Sequence, residues 1–246
     1  MKNLFLTIAL VLFALNATAQ KNGYTRIELS FVASHSDDPI INDPSHEDYG
    51  SDVTPKGVEF GVVHGINLTN SIPLFLETGG RIQWTHLKFD ESDDPYYDEY
   101  YDDEEWTDKY NFLSLSIPAA VVYRFAATDK ITIAPFFGPN FKFNLLGKEK
   151  IEYEDYGKEI EREINFFKDD KENMQSDKYT AKRFQFGLNL GVGFVFNKFY
   201  LGYRFQPDLT KYRQGSVWDE DRYGKDYKRN IDAKTKAHII TLGIDF

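Results

Sequence analysis

The stretch "RFQFGLNLGVGFVFNK" alternates without a break. Phe184, Phe186, Leu188, Leu190, Val192, Phe194 and Phe196 are large and apolar, and Gln185, Gly187, Asn189, Gly191, Gly193 and Val195 lie between them. Side chains of an extended chain point to opposite faces at every second residue, so a period of two marks a strand with one apolar face. At about 13 residues the run exceeds the ~5–6 of an average strand and suffices to cross a bilayer when tilted.

Seven further segments keep this rhythm. "YTRIELSFVA" sets Ile27, Leu29 and Phe31 against Arg26, Glu28 and Ser30, and "KGVEFGVVHGINL" sets Val58, Phe60, Val62 and Ile66 against Gly57, Glu59, Gly61 and Gly65. In "LFLETGGRIQWTHLKF", Leu74, Leu76, Ile82 and Trp84 oppose Glu77, Gly79, Arg81, Gln83 and Thr85. "FLSLSIPAAVVYRF", "ITIAPFFGPNFKF", "FYLGYRF" and the closing "AHIITLGIDF" complete the set, with Phe136 as the exception to the alternation.

The connections alternate as well. Long ones at 34–55, 90–109, 146–182 and 206–235 are separated by short turns at "LTNSIP", "AATDK" and Asn197-Lys198, so all the long ones fall at one end. The fold class expected is all-β: an eight-stranded antiparallel up-and-down transmembrane β-barrel with long external loops and short periplasmic turns, formed by residues 20–246 as one domain. A soluble sandwich also alternates. The glycine-rich polar face, with glycines at 57, 61, 65, 79, 187, 191, 193, 202 and 243, instead suits the narrow interior of a small barrel. Hydrocarbon offers no partner to an open sheet edge, so the last strand pairs with the first and leaves Phe246 at the periplasmic interface. Aromatic girdles are expected from Tyr123, Phe125, Phe199 and Phe246 near the turns and from Trp84 and Tyr110 near the loops.

Composition adds the compartment. Residues 1–19 carry Lys2, an apolar run over 4–15 and small Ala17 and Ala19, the pattern of a removable secretory signal too short to span a membrane. Without them, 28 Lys+Arg stand against 39 Asp+Glu, a formal charge of 28 − 39 = −11, which disfavours nucleic acid as a partner. The absence of cysteine removes both a disulfide framework and a lipid-modified anchor. The expected location is therefore the outer membrane of a Gram-negative bacterium.

Parity turns Arg26, Glu28, Glu59, Glu77, Arg81, Arg124, Lys142 and Arg204 inward. Single buried charges cost several kcal/mol each, so these groups are expected to pair across a narrow bore. Two readings follow, a structural plug and a gated ion path. The loop "DESDDPYYDEYYDDEEWTDK" holds eleven carboxylates, Asp90, Glu91, Asp93, Asp94, Asp98, Glu99, Asp102, Asp103, Glu104, Glu105 and Asp108, with no fixed ligand spacing. It reads as a solvated loop, as a weak Ca²⁺ or Mg²⁺ site bridging to lipopolysaccharide phosphates, or as a tyrosine-rich protein or glycan contact; no other cofactor and no specific metal site is expected.

In "GKEIEREINFFKDDKENM", Ile160, Ile164 and Phe167 stand near helical spacing and suggest a short surface helix. Lys225, Lys228, Arg229, Lys234 and Lys236 near the return of the last loop could meet lipopolysaccharide phosphates. Catalysis finds little support. By parity His64, His86 and His238 face outward without a convergent serine, which leaves an Asp/His arrangement around His35 and His46 as the enzymatic alternative. No catalytic residue is assigned.

The chain resembles a known family at several places: a signal ending in Ala-Gln, "LSLSIPAAVVYRF", "IAPFFGPNFKF", "FGLNLGVGF" and "ITLGIDF". Together these are similar to the PorT-like outer-membrane β-barrel family of the Bacteroidota, across essentially the whole mature chain. Ser116-Ile117-Pro118 stands where that family usually has Glu, Ile, Pro, so its carboxylate is missing here. The resemblance implies that Phe246 is the aromatic end recognised by the barrel-assembly machinery, and it links the name-giving member to type IX secretion. The functional expectation is a structural, adhesive or accessory binding protein acting through acidic external loops. A narrow passive channel, a type IX accessory component and a membrane enzyme are the alternatives.

Overall fold

The structure is a computed structural model that describes residues 23–37, 54–90, 106–155, 158–167, 181–220 and 226–246. In chain order its strands are β1 (Tyr24–Ser36), β2 (Lys56–Asn67), β3 (Leu74–Asp90), β4 (Trp106–Tyr123), β5 (Phe125–Ala126) and β6 (Ile131–Asp155). They continue as β7 (Lys158–Asn165), β8 (Phe184–Phe196), β9 (Phe199–Pro207), β10 (Arg213–Glu220), β11 (Asp226–Ala233) and β12 (Thr235–Asp245).

Eight of them form a closed antiparallel ring, β4-β3-β2-β1-β12-β9-β8-β6, with β6 pairing back onto β4. The closing seam between first and last strands runs from Arg26↔Asp245 to Ser36↔Thr235. Thr25 and Phe246 extend it with backbone bonds of 3.2 and 2.8 Å, so the last residue is stitched to the first strand. The eight-residue-pair β10–β11 ribbon forms a separate small sheet.

The ring is inverted relative to a soluble protein. Leu29, Phe60, Ile82, Phe141, Phe194, Leu201 and Leu242 face outward and are exposed, whereas Arg26, Glu28, Glu59, Arg81, Gln185 and Arg204 are buried. Exposing a continuous apolar belt and burying charge is costly in water and favourable in a bilayer, where the outer face meets hydrocarbon. Phe136 breaks the alternation because it fills the bore opposite Gly191, where a Cβ would stand 2.5 Å from its ring.

At the external end the alternation inverts. On β4 the buried Ser114 and Ser116 give way to Tyr110 and Phe112 on the same inward face, while outward Leu113 and Leu115 give way to Lys109 and Asn111. On β3 the inward series Arg81, Gln83, Thr85 ends in Leu87, and outward Ile82 and Trp84 end in His86 and Lys88. This is the switch expected where strands leave lipid for water. Tyr110 consequently belongs inside the mouth and not to the outer girdle, a correction that follows from its even parity with Ser114.

Two further expectations change. The segment expected as a helix is β7 over its described part, paired along β6 from Lys148↔Asn165 to Asp155↔Lys158. Ile160 and Ile164 are four apart, a spacing that shares one face in a strand as well as in a helix, and the open edge of β6 decides between them. The ranges 146–182 and 206–235, expected as loops, thus contain strand: the end of β6 with β7 in one, β10 and β11 in the other. β6 shifts its parity through a bulge, where Leu113 pairs with Leu146 and Ser114 with Asn144, leaving Leu145 as the extra residue.

Candidate functional site

Seven of the eight expected inward charges meet at the periplasmic half of the bore. Arg26 reaches Asp245 at 2.7 Å, Glu77 at 3.2 Å and Glu28 at 3.9 Å. Arg81 pairs with Glu28, lies 3.4 Å from Glu77 and 3.9 Å from Glu59, while Arg204 pairs with Glu59. Arg124 extends the chain of contacts through Asp245 at 2.8 Å. Four arginines thus balance Glu28, Glu59, Glu77 and Asp245, and the cluster carries no net charge.

Two tyrosines complete this layer. The Tyr24 hydroxyl donates to Glu77 at 2.7 Å, the Arg124 guanidinium lies 4.0 Å from the Tyr24 ring centre, and Arg26 lies 3.5 Å from that of Tyr200. Room for these large groups comes from their neighbours in register: Gly61 and Gly243 flank Glu28, and a Cβ on Gly193 or Gly202 would overlap the Tyr200 side chain. The expected glycine-rich inner face is therefore the complement of a charged and aromatic filling.

Lys142 stands apart from that cluster. It pairs with Asp208, which also accepts from Gln185 at 3.0 Å, and Lys142 donates to Thr235 at 3.1 Å. Between the two layers lie Asn140 and Asn189, bonded at 3.3 Å, with Gln83 and Ser116 buried on neighbouring strands. Asp208, Asp245, Tyr24 and Tyr200 were not among the expected interior residues. Asp208 falls in a range expected as loop, and the alternation assigns neither tyrosine to a face.

Beside the polar layers, in register with Arg204 and Gln206, Val32, Ala237 and Ile239 form a buried inward apolar group. Over it sits a core of Tyr110, Phe166, Ala181, Tyr212 and Ala233, with Leu87, Phe112, Ile164 and Phe167 packed against it. Tyr110 donates to Glu149 at 2.9 Å, the Phe112 and Phe166 rings lie 5.9 Å apart, and Arg213 sits 4.6 Å from the Phe166 ring centre. Backbone bonds fasten this cap to the rim: Ala181 to Phe166 at 2.8 Å, Tyr212 to Ala233 at 2.9 Å and Asp37 to Lys234 at 3.0 Å.

Outside the cap, β4, β6 and β7 carry a cross-strand ladder of ion pairs. Lys150 lies 2.7 Å from Glu152 and 3.0 Å from Glu161, and Lys109 pairs with Glu152 and Lys148 with Glu163. Hydrogen bonds from Lys109 and Lys150 hold the Glu152 carboxyl down at about 2. The bonds to Glu152 and Glu161 push Lys150 up.

Three of the described histidines are held by neighbours on adjacent strands. His64 Nδ1 lies 3.0 Å from Thr25 Oγ1, His86 Nδ1 is 3.0 Å from Asn111 Oδ1, and His238 Nδ1 is 2.7 Å from the Tyr203 hydroxyl. His64, expected on the outer face, is buried against Thr25 there. His35 Nε2 is 3.3 Å from Asp37, and His46 lies outside the described residues. Of the acidic loop, Asp90 ends β3 and Asp108 is the third residue of β4, one register step away, and the other nine carboxylates lie outside the described residues. Among the described residues no group of three His, Cys, Asp or Glu is placed to hold a metal. Phe246 is two-thirds exposed at the periplasmic end of the seam. The expected signal segment and Lys225 lie outside the described residues.

The family model described as "Outer membrane protein beta-barrel domain" matches residues 19–212. No curated protein matches the chain in sequence. Among solved structures, the attachment invasion locus protein Ail of Yersinia pestis aligns at 15% identity over 92% of this chain and 99% of its own, with a TM-score of 0.38. Neisserial surface protein A aligns at 13% identity over 92% and 98%, with a TM-score of 0.37. A major outer membrane protein from Thermus thermophilus aligns at 14% identity over 91% and 99%, with a TM-score of 0.38.

Proposed function

This chain belongs to the outer membrane protein beta-barrel domain family, and from that premise we propose that it is a closed barrel serving a structural, adhesive or accessory binding role through its external loops. The observation that supports this reading is the filling of the bore. A charge-balanced cluster of four arginines and four carboxylates occupies the periplasmic half, and an aromatic cap occupies the external mouth. A wide conduit needs a hydrated path, and a narrow eight-stranded ring packed with side chains leaves little of one. Purified protein in planar bilayers is expected to give no stable large conductance; reproducible steps of porin size would overturn the proposal.

A narrow channel is the second reading, favoured by the polar middle layer of Gln83, Ser116, Asn140 and Asn189, and the same recording decides it. We do not propose catalysis. Turnover of lipid A or model peptides that is lost on replacing His35 and His46 by Ala would reverse that reading. Loose Ca²⁺ or Mg²⁺ binding by the acidic loop is proposed from its charge alone, and calorimetry on the folded barrel showing no heat up to millimolar ion would end it.

The finer placement rests on the sequence resemblance: a PorT-like protein of the Bacteroidota, exported by residues 1–19 and delivered to the barrel-assembly machinery through Phe246. A part in type IX secretion rests there too. A deletion strain that still secretes that system's cargo would remove it.

A further inference from the structure

The inward face of one wall carries a run of open hydrogen-bonding groups. Among the described residues Gln83 Oε1, Ser116 Oγ, Asn140 Nδ2, Asn189 Oδ1, Gln206 Oε1 and Asp208 Oδ1 are buried without a hydrogen-bond partner. They stand on neighbouring strands of the ring, β3, β4, β6, β8 and β9 with the residue that follows it. Each is diagonal to the next. Gln83 is two residues from Arg81, which pairs with Ser116, and Asn140 is two residues from Lys142, which pairs with Ser116 on the other side. Asn140 pairs with Gly187, two residues from Asn189, and Gly187 bridges to Asp208, two residues from Gln206. Diagonal neighbours on a sheet are about 7–8 Å apart, an interval that one small bridging molecule spans where the side chains do not meet.

The layers on either side are filled by long groups, arginines and tyrosines toward the periplasm and the aromatic cap toward the outside. The inward positions in register with the run instead include Ser114, Gly138 and Gly187. Such short groups do not fill the interior of an eight-stranded ring, which is about wide enough for full side chains. The lining is also two-sided, because the polar run ends at Gln206, in register with Ala237 of the apolar group on β12 and β1. Open donors and open acceptors both occur in the run. Reversing the Asn140 and Asn189 amides together preserves their 3.3 Å bond and still leaves one N–H and one C=O open. A metal cation satisfies acceptors alone and an anion donors alone, whereas water satisfies both.

We propose that this run is a binding site for a small cluster of water molecules, held against the β3–β9 wall between the arginine–carboxylate layer and the aromatic cap. A buried polar group left without a partner costs more than a typical hydrogen bond contributes, so a run of them would offset much of a fold's net stability. A buried water makes about three hydrogen bonds, and the six open atoms therefore call for about two waters. Waters held here stay longer than surface water only if both flanking layers close the bore, so the inference rests on the closed-bore reading.

The test uses the full barrel in micelles, with long-lived water counted by oxygen-17 magnetic relaxation dispersion. The comparison is N140L/N189L, whose branched side chains keep the outline of the amides and carry no polar atom. Wild type should hold about two more long-lived waters than the double variant. Its Asn140 and Asn189 side-chain amides should also show cross-relaxation with water that survives in S116A, where no hydroxyl proton can relay it. Equal counts, or cross-relaxation that is absent or lost in S116A, overturns the proposal. A heat-modifiable gel shift checks that the double variant is folded, and N189L alone, expected to lose about one water, carries the count if it is not. Exchanging sodium for a large organic cation should leave the count unchanged; a count that follows sodium would assign the run to a cation and overturn the proposal. Missing long-lived water together with porin-sized conductance would trace the failure to an open bore, and missing water without conductance would remove this inference alone.

Discussion

Tyr200 shows how single residues shape the bore. Its ring lies over the sites of Gly193 and Gly202, so the sheet can hold a large inward aromatic only because two neighbours have no side chain. Overpacking of this kind typically costs ~1–3 kcal/mol. G193A is therefore expected to lower the urea unfolding free energy of the micelle-bound barrel by that amount, and to be nearly neutral in a Y200A background. If the penalty persists in that background, it does not come from the ring. Asp245 offers the electrostatic counterpart, since it is shared by Arg26 and Arg124. Removing one partner of buried ions leaves an uncompensated charge, so D245N should cost about 3 kcal/mol. R124Q should cost less because Arg26 still satisfies Asp245, and the reverse order would show that Arg124 is the principal partner.

At the scale of elements, the ion-pair ladder on β4, β6 and β7 makes the external wall sensitive to pH. Glu152 is held low, at about 2, by Lys109 and Lys150. Its contribution is fully present above the ordinary carboxylate range of about 4.3 and is lost as pH falls through about 2. Protection factors for amide exchange along β6–β7, taken against the intrinsic rate at each pH, should fall across that window in the wild type, and E152Q should already show the low protection at neutral pH. An identical acid response in E152Q would place the sensitivity elsewhere. The transmembrane parts of the elements were legible because lipid and bore impose a period of two over many residues, as in Phe184–Phe196. The wall and the β10–β11 ribbon were not legible as strands. Beyond the bilayer the polarity of the two faces inverts, and Leu145 adds a bulge that resets the parity. The same inversion explains why Arg26, Glu59 and Arg81 could be placed inward from the sequence, whereas Asp208 and the Tyr110 cap could not. Pairing within the network, such as Arg26 with Asp245, joins residues 219 positions apart, and only the closed ring brings them together.

For the whole molecule, the proposed closure is arranged in series: a charge-balanced layer near the periplasm, a polar middle, and an aromatic cap at the external mouth. Seals in series have a testable logic, because removing one leaves the path blocked while changing which compartment the middle layer meets. The cap is the easier one to remove, since Phe166 and Tyr212 belong to external segments and not to the transmembrane ring. F166A/Y212A should therefore remain non-conducting in planar bilayers, yet open the middle layer to reagents from outside. The chain has no native cysteine, so S116C places a single thiol there, in register with Arg81 and Lys142. A small external maleimide should label S116C slowly in the otherwise native barrel and at least tenfold faster in the cap-deleted background, at unchanged heat-modifiability. Equal rates would mean that the cap does not seal the mouth. Conduction by the cap-deleted barrel would mean that the arginine–carboxylate layer, although neutral and paired, does not seal the other end.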